Sequence, residues 1–463
     1  MNTNNPSRQR INPIALLKRA YGGSISSQFL DPADFSFKEL HLFKEVFDSK
    51  LIFLKKIIHS LNEPDIYIYT ADAARHLRLK LQASGKSFFS EKKAILAAVG
   101  EAVERFRWCY YRPVSVVRSV SDMGERAVDM SLLTGFSEEQ RNMRPSLRYS
   151  DDSMFHWTRV PDLAFGTRRF LPTQLISPSF FLAHTRAGNE PLLRGPISSG
   201  AAAGWSEGDI VYRGICESIE RDAFMITYLN KITPVKIDLN STRALIHGAR
   251  MDLYFKKFNL EAHSVLLISD LPPYSVMSLI VDRSGDGPAL SVGACADFNI
   301  EDAIVRSLEE AACVRLFSKA FQLHRKDAAI SPAGFLSAED RKIYWSKPEN
   351  LRHIDFMIQG KKKNISNIAR KDIEEKKSES TQDKIRFLLS SLKQAGYHCF
   401  YANMAPRNSV FSLRSGIVFI PELQPLYLDE TFACHGAERL WKVPQKLGYG
   451  AGRPINPVPH PFH

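Results

Sequence analysis

Two short stretches carry the same arrangement of charge. GEAVERF, residues 100–106, holds Glu101, Glu104 and Arg105, and ICESIERDAF, residues 215–224, holds Glu217, Glu220 and Arg221. Residues three and four apart share one face of a helix, so each E-x-x-E-R places two carboxylates beside a guanidinium. The second motif repeats the first at a constant offset of 116 residues (217 minus 101). If the two helices meet, four carboxylates converge. Such a cluster repels itself unless a hard divalent cation joins it, and magnesium with nucleotide phosphates is the usual solution. The arginines would then contact phosphate oxygens or hold the glutamates in place. The plain alternative is a pair of amphipathic helices with solvated ion pairs. Small neighbours (Ala97, Ala98, Gly100 and Ala102; Gly214, Cys216 and Ser218) favour a buried site.

The elements that must position these residues are legible. Ser90 is a plausible N-cap for the first motif helix, with an apolar stripe of Ile95, Leu96, Val99, Val103 and Phe106. Ser206, with Asp209 three residues on, opens the second like a capping box. A third helix begins at Asn299 and runs through AIVRSLEEAACVRLF. Strand-like runs lie between them: PVKIDL at 234–239, SVLLIS at 264–269 and VMSLIVD at 276–282, with IYIYT ending at residue 70 as an earlier strand. Strands alternating with helices across long connections predict a mixed α/β (α+β) architecture. Residues 36–62 show helical apolar spacing and read as one or two amphipathic helices. We therefore expect a polar, amphipathic helical segment over 1–70 and a main domain over 71–463. Within that domain, residues 361–380 are charged and read as an exposed insertion or linker rather than a nucleic-acid patch. Prolines 454, 457, 459 and 461 mark a Pro-rich tail over 454–463.

Composition narrows the partners without choosing one. The chain has 463 residues, is 44% apolar and carries a net charge of +12. That balance favours an anionic partner such as a nucleotide, a nucleic acid, an acidic peptide or a membrane surface. The longest apolar run, SVLLISDLPPYSVMSLIV, is broken by Asp270, Pro272 and Pro273, which argues against a membrane span. MNTNNPSRQR is not followed by an apolar core, so no secretory signal is expected. Six scattered cysteines include no C-x-x-C, which fits a reducing, cytoplasmic compartment. Gly85-Lys86-Ser87 looks like the end of a P-loop, but Lys80 stands where the first glycine is required.

The chain resembles the YcaO-domain family, specifically its azoline-forming peptide cyclodehydratases. The resemblance rests on ASGKS…ILAAVGEAVER (83–105), SSGAAAGWSEGDIVYRGICESIERDA (198–223), SVGACADFNIEDAIVRSLEEAACVR (291–315), PELQPLY (421–427) and NPVPHPF (456–462), in that order. It implies a fold that binds ATP between the E-x-x-E-R helices without a P-loop. Carried over, Glu101, Glu104, Glu217 and Glu220 hold Mg2+. Arg105 and Arg221 face the phosphates, and Asp209, Arg306, Glu310 and Arg315 occupy places of further nucleotide contacts. Ala97, Trp205, Asp209 and Cys313 differ from the family's usual residues.

The implied reaction makes thiazoline or oxazoline from Cys, Ser or Thr in a ribosomally made precursor peptide. The side chain attacks the preceding carbonyl, the ATP γ-phosphoryl passes to the amide oxygen, and elimination closes the ring. On composition alone the tail reads as a free polyproline ligand. The resemblance instead makes Pro457, Pro459 and Pro461 a stiff positioning device. His463, with its carboxylate or with His460, would then carry protons. The family also implies an E1-like leader-binding partner and a flavin-dependent dehydrogenase, with no membrane or nucleic-acid partner. YcaO-type thioamide or amidine formation and a catalytically silent peptide-binding scaffold are the competing readings.

Overall fold

The computed structural model describes residues 36–463 apart from 59–61, 74–81, 134, 182–187, 196, 325–329, 331–333, 336, 405–410, 451–453 and 463. The chain opens with α1 (Phe37–Ser49) and then β1 (Ile52–Lys56), β2 (Tyr67–Ala73), β3 (Gln82–Ser87) and α2 (Glu91–Tyr110). Next come β4 (Val116–Ser119), β5 (Met154–Asp162), β6 (Thr167–Pro172), β7 (Ala201–Gly204) and α3 (Glu207–Leu229). There follow β8 (Val235–Ile237), β9 (Glu261–Leu266), β10 (Tyr274–Val281), β11 (Leu290–Asp297) and α4 (Ile300–His324). The last third contributes β12 (Lys362–Lys363), α5 (Thr381–Gln394), β13 (Phe400–Asn403), β14 (Arg414–Phe419) and α6 (Arg439–Lys446).

Three sheets carry the mixed α/β architecture. The first is β1-β2-β3, antiparallel throughout. The second runs β4-β5-β13-β14-β7, with β6 paired to β5. The third runs β11-β10-β9-β8-β12. The three long helices pack where these sheets approach each other. α2 lies on β2 and β3 and reaches β7 and β14, α3 touches β7, β14, β10 and β11, and α4 covers β10 and β11 and reaches β3. α3 is apolar on two sides for this reason. Ile210, Ile215 and Ile219 join one core cluster, whereas Phe224, Tyr228 and Leu229 join another.

Three expectations change. Residues 36–62 are not helical throughout: Lys50 takes a positive φ of 53°, the helix stops, and Ile52–Lys56 forms an edge strand. Ile52 and Leu54 point inward and Phe53 outward, a period of two that short apolar runs hide inside a helical reading. The boundary expected at 70/71 falls inside β2, which pairs with both β1 and β3. Residues 361–380 are not a bare linker. Lys362 and Lys363 pair in parallel with β8, Ile373 is buried, and the Arg370 N–H donates to Tyr274 Oη at 2.7 Å. The charged side chains face water while these anchors enter the core.

Among the described residues no helix is long and apolar enough to cross a membrane. None of the six cysteines is in a disulfide.

Candidate functional site

Each motif helix starts as its sequence dictates. Ser90 caps α2, its hydroxyl accepting the Lys93 N–H at 3.2 Å. Ser206 and Asp209 form a reciprocal capping box at α3. Asp209 is thereby committed to the helix end. It lies eight residues before Glu217, about 12 Å along the axis at 1.5 Å per residue, and so takes a structural post rather than one beside the motif glutamates. Trp205 precedes this cap and is 39% exposed.

The glutamates are held by a repeated device. Glu101 Oε2 accepts the Ser84 N–H of β3 at 2.9 Å. Glu217 Oε2 accepts the Gly200 N–H beside β7 at 3.1 Å. Glu310 Oε2, on α4, accepts the Ala294 N–H of β11 at 2.9 Å. In sequence these donors precede their glutamates by 17, 17 and 16 residues. Three strand–helix units therefore present one glutamate each in the same way. Three residues further along each helix stand Glu104, Glu220 and Cys313. The third unit thus repeats the motif with a thiol in the place of the second carboxylate. Close approach of strand and helix is built in. A Cβ on Gly85 would lie 1.8 Å from the Ala94 carbonyl oxygen, and one on Gly293 would lie 2.4 Å from that of Ser307.

The resulting site is strongly acidic. Burial raises the Glu104 carboxyl well above the ordinary range, with Glu217 and Glu101 adding repulsion. Burial likewise raises Glu217 and pushes Glu220 up to about 8. Cations answer this charge. Arg105 binds Glu101 closely, Nη2 to Oε1 at 2.6 Å, while Arg221 approaches Glu217 at 3.5 Å and Glu220 at 3.3 Å. Lys86, on β3, is a site cation that the sequence reading assigned no role. Burial opposes its charge, but Glu310, Cys313, Glu101 and Glu309 outweigh that and hold its pKa above the usual lysine value. The Gly85-Lys86-Ser87 stretch is strand, not loop. Its signal was the basic residue two positions after Ser84, on the strand that binds Glu101.

Other predicted residues divide. Arg306 bonds Asp297 at 3.1 Å on the rim, its side chain 59% exposed. Arg315 is engaged by protein groups in this arrangement. Its guanidinium is bound by Glu63 (2.7 and 3.1 Å), Asp282 (2.8 Å) and the Pro288 carbonyl (3.2 Å) in a buried network. Four of its five donors are thereby engaged and its charge is matched by two carboxylates, and removing one partner of such a network is costly.

The tail is seated on α3. Tyr228 Oη and Trp345 Nε1 both donate to the Pro459 carbonyl at 3.1 Å, and Arg341 Nη1 donates to that of His460 at 3.0 Å. Pro459 and Pro461 are buried and Pro457 is exposed. Phe462 is 6% exposed, packs on Phe224 at 4.6 Å and lies under the Arg221 guanidinium. His460 is 1% exposed and donates through Nε2 to the Tyr427 carbonyl, a structural post. His463 lies outside the described residues.

The site fits Mg2+ and a triphosphate, but not as a closed cage. Among the described residues no three His, Cys, Asp or Glu side chains come together to hold one bare ion. The four motif carboxylates therefore do not converge on one point as expected. Magnesium retains waters and phosphate oxygens and needs only one or two carboxylates per ion, so an array along two helices suits it. Glu220 Oε1 and Arg221 Nε, both buried, face each other at 3.3 Å as an ion pair without a hydrogen bond, a loose pairing that leaves both open to stronger partners.

A family model described as YcaO cyclodehydratase, ATP- and Mg2+-binding, matches residues 84–424. The fold is similar to that of a heterocyclase solved in complex with substrate and cofactor. That likeness has a TM-score of 0.71 at 18% identity, over 97% of this chain and 60% of that one. It is also similar to YcaO from Methanopyrus kandleri bound with AMPPCP and Mg2+, with TM-score 0.57 at 14% identity, over 84% and 91%. A third likeness is the E. coli microcin synthetase McbBCD complex with pro-MccB17 bound, with TM-score 0.53 at 14% identity, over 80% and 88%. The chain spans 60% of the first heterocyclase and 50% of a second, TruD. No relative was found among curated proteins. With E-x-x-E-R on two helices and the family model spanning most of its length, the chain belongs to the YcaO family of ATP- and Mg2+-binding cyclodehydratases.

Proposed function

We propose that this protein is an ATP-dependent cyclodehydratase that forms thiazoline or oxazoline rings in a ribosomally made peptide. The observation that carries the reading is Arg221. It borders two motif carboxylates, pairing with them only loosely at 3.3 and 3.5 Å, and is covered by Phe462 of the proline-rich tail. Bound Mg-ATP supplies the phosphoryl group that turns an amide oxygen into a leaving group.

The chain's own residues then have separate tasks. Glu101, Glu104, Glu217 and Glu220 hold Mg2+. Arg105, Arg221, Lys86, Arg306 and Glu310 order the nucleotide side. Preorganised charges of this kind stabilise developing negative charge without rearranging. Pro457, Pro459 and Pro461 restrict φ along the tail, and His463, one residue beyond the buried Phe462, would carry a proton. The partners in this reading are the precursor peptide, an E1-like leader-binding protein and a flavin-dependent dehydrogenase, acting in the cytoplasm.

The test is incubation of the chain with a precursor peptide, a leader-binding partner and Mg-ATP. Loss of one water per ring, with phosphate released in step, is expected by mass spectrometry. Exchange of sulfur for oxygen would favour the thioamide reading instead, and no ATP turnover with any partner would favour a silent scaffold.

A further inference from the structure

Arg194 is a cation without a counter-ion. Among the described residues it makes no ion pair or hydrogen bond; its guanidinium lies 4.4 Å from the ring centroid of Phe419. Burial lowers its pKa to about 10, with only the Cys434 thiol acting the other way. A half-buried, always-charged donor fork of this kind binds best to a planar acceptor.

Gln424 supplies the complementary group. It is 1% exposed, and its Oε1 accepts no hydrogen bond among the described residues. The rest of the residue is fixed. Its Nε2 donates to the Cys434 carbonyl at 2.9 Å, and its backbone N–H donates to Asp222 Oδ1 at 2.8 Å. Asp222 follows Arg221 on α3 and is clamped in turn by Arg439. The Gln424 side chain is thus held in place relative to the motif helix. A buried acceptor left unmet destabilises the protein, so a donor that reaches it is favoured.

Both residues border one narrow cleft, with Ser199, Ser218 and Arg221 at its α3 side. Arg194 and Pro425 also line two larger spaces, one of about 160 Å3 and one of about 450 Å3. The latter lies within the roughly 300–1,000 Å3 typical of ligand pockets.

We infer that this cleft is a subsite for the main chain of the substrate peptide, with a backbone carbonyl accepting from Arg194 and a backbone N–H donating to Gln424 Oε1. A peptide unit offers both groups together, whereas a phosphate or carboxylate would leave Gln424 unmet. The larger space then receives a neighbouring side chain. The inference rests on the peptide-modifying reading above and assigns two of its substrate-positioning residues.

The test uses the full chain with Mg-AMPPCP and the synthetic probe acetyl-Gly-Ala-Cys-Gly-amide, with affinities read by saturation-transfer NMR. Arg194→Gln is expected to weaken probe binding about tenfold, the usual worth of a hydrogen bond to a charged group. Arg194→Lys should recover part of the loss. Mg-AMPPCP affinity should stay within about twofold for both variants, because Arg194 makes no ion pair or hydrogen bond to a motif residue among the described residues. N-methylating the probe's amides one at a time should reveal one position that weakens binding to the natural chain and adds nothing in Gln424→Met. Three results would overturn the inference: no probe binding to the natural chain, unchanged probe affinity in a folded Arg194→Gln, or a parallel fall in nucleotide affinity. The cyclodehydratase reading is judged separately by ATP-dependent loss of water, so either can fail alone.

Discussion

The guanidinium of Arg221 lies 4.6 Å from the ring centroid of Phe462, joining a motif helix to the penultimate residue of the chain. The pair sits beside Glu217 and Glu220, so the tail bears directly on the acidic site. Phe462→Leu keeps apolar bulk and removes the ring face. We expect it to fold and to lower ring formation about tenfold, near the worth of a desolvated cation–π contact. Phe462→Ala should also destabilise by about 3 kcal/mol, as truncation of a buried aromatic does. Thermal melts and mass-spectrometric turnover separate the two effects; undiminished turnover in Phe462→Leu would detach the tail from the site.

Glu104 and Glu220 stand three residues beyond Glu101 and Glu217, and Glu220 Oε2 in addition accepts the Ala296 N–H of β11 at 3.1 Å. Glu104→Gln and Glu220→Gln are expected to keep the fold, because both carboxyls resist ionisation in the empty site. Each should weaken Mg-ATP binding at least about tenfold, the cost of losing a charged ligand, and should abolish turnover. Calorimetry showing unchanged nucleotide affinity in both would remove them from the site.

Gly85 tests the strand–helix geometry itself. Any Cβ there meets backbone of α2, the Ala94 carbonyl oxygen at 1.8 Å and the Ala98 nitrogen at 2.3 Å. Backbone cannot step aside as a side chain can. Gly85→Ala should therefore cost about 3 kcal/mol or more, the upper end for overpacking, and should displace Ser84 from Glu101. Chemical denaturation measures the first, and a matching loss of Mg-ATP affinity the second.

Glu422 gives a pH signature outside the motif helices. Burial pushes its carboxyl up to about 7, although the His398 backbone N–H, shared between its two oxygens, acts the other way. A raised carboxyl means the folded state holds a proton that the unfolded state has released. Stability then falls as pH rises from the ordinary carboxylate range toward 7 and levels off above it. Glu422→Gln should flatten that slope, as melting temperatures across pH 5–8 would show; a slope of the opposite sign would contradict the assignment.

Much of this was legible beforehand because it is local. The serines at 90 and 206 cap their helices through contacts three residues away, and the E-x-x-E-R spacing fixes a shared helical face. Family membership was legible for the same reason: it rests on ordered short motifs. Residues 52–56 misled because five residues cannot distinguish a strand's period from a helix's, and their pairing partner lies on the far side of a connection. In residues 361–380 the many solvated charges were legible, whereas the two lysines and few isoleucines that decide the docking were not.

The sequence by itself determined the helix starts, the paired carboxylates, the lack of a P-loop and the kind of chemistry they suit. Tertiary structure alone decided what those residues meet. It joined Ser84, Gly200 and Ala294 to their glutamates across the three strand–helix units, and it brought Lys86 into the same charge cluster. It also withdrew Arg315 into a buried pair with Glu63, 252 positions away in the chain, and set Phe462 on Arg221. The reason is physical. Helix faces and caps follow from bonds within one or two turns, whereas the fate of a buried charge depends on which distant chain segment reaches it first with a matching group.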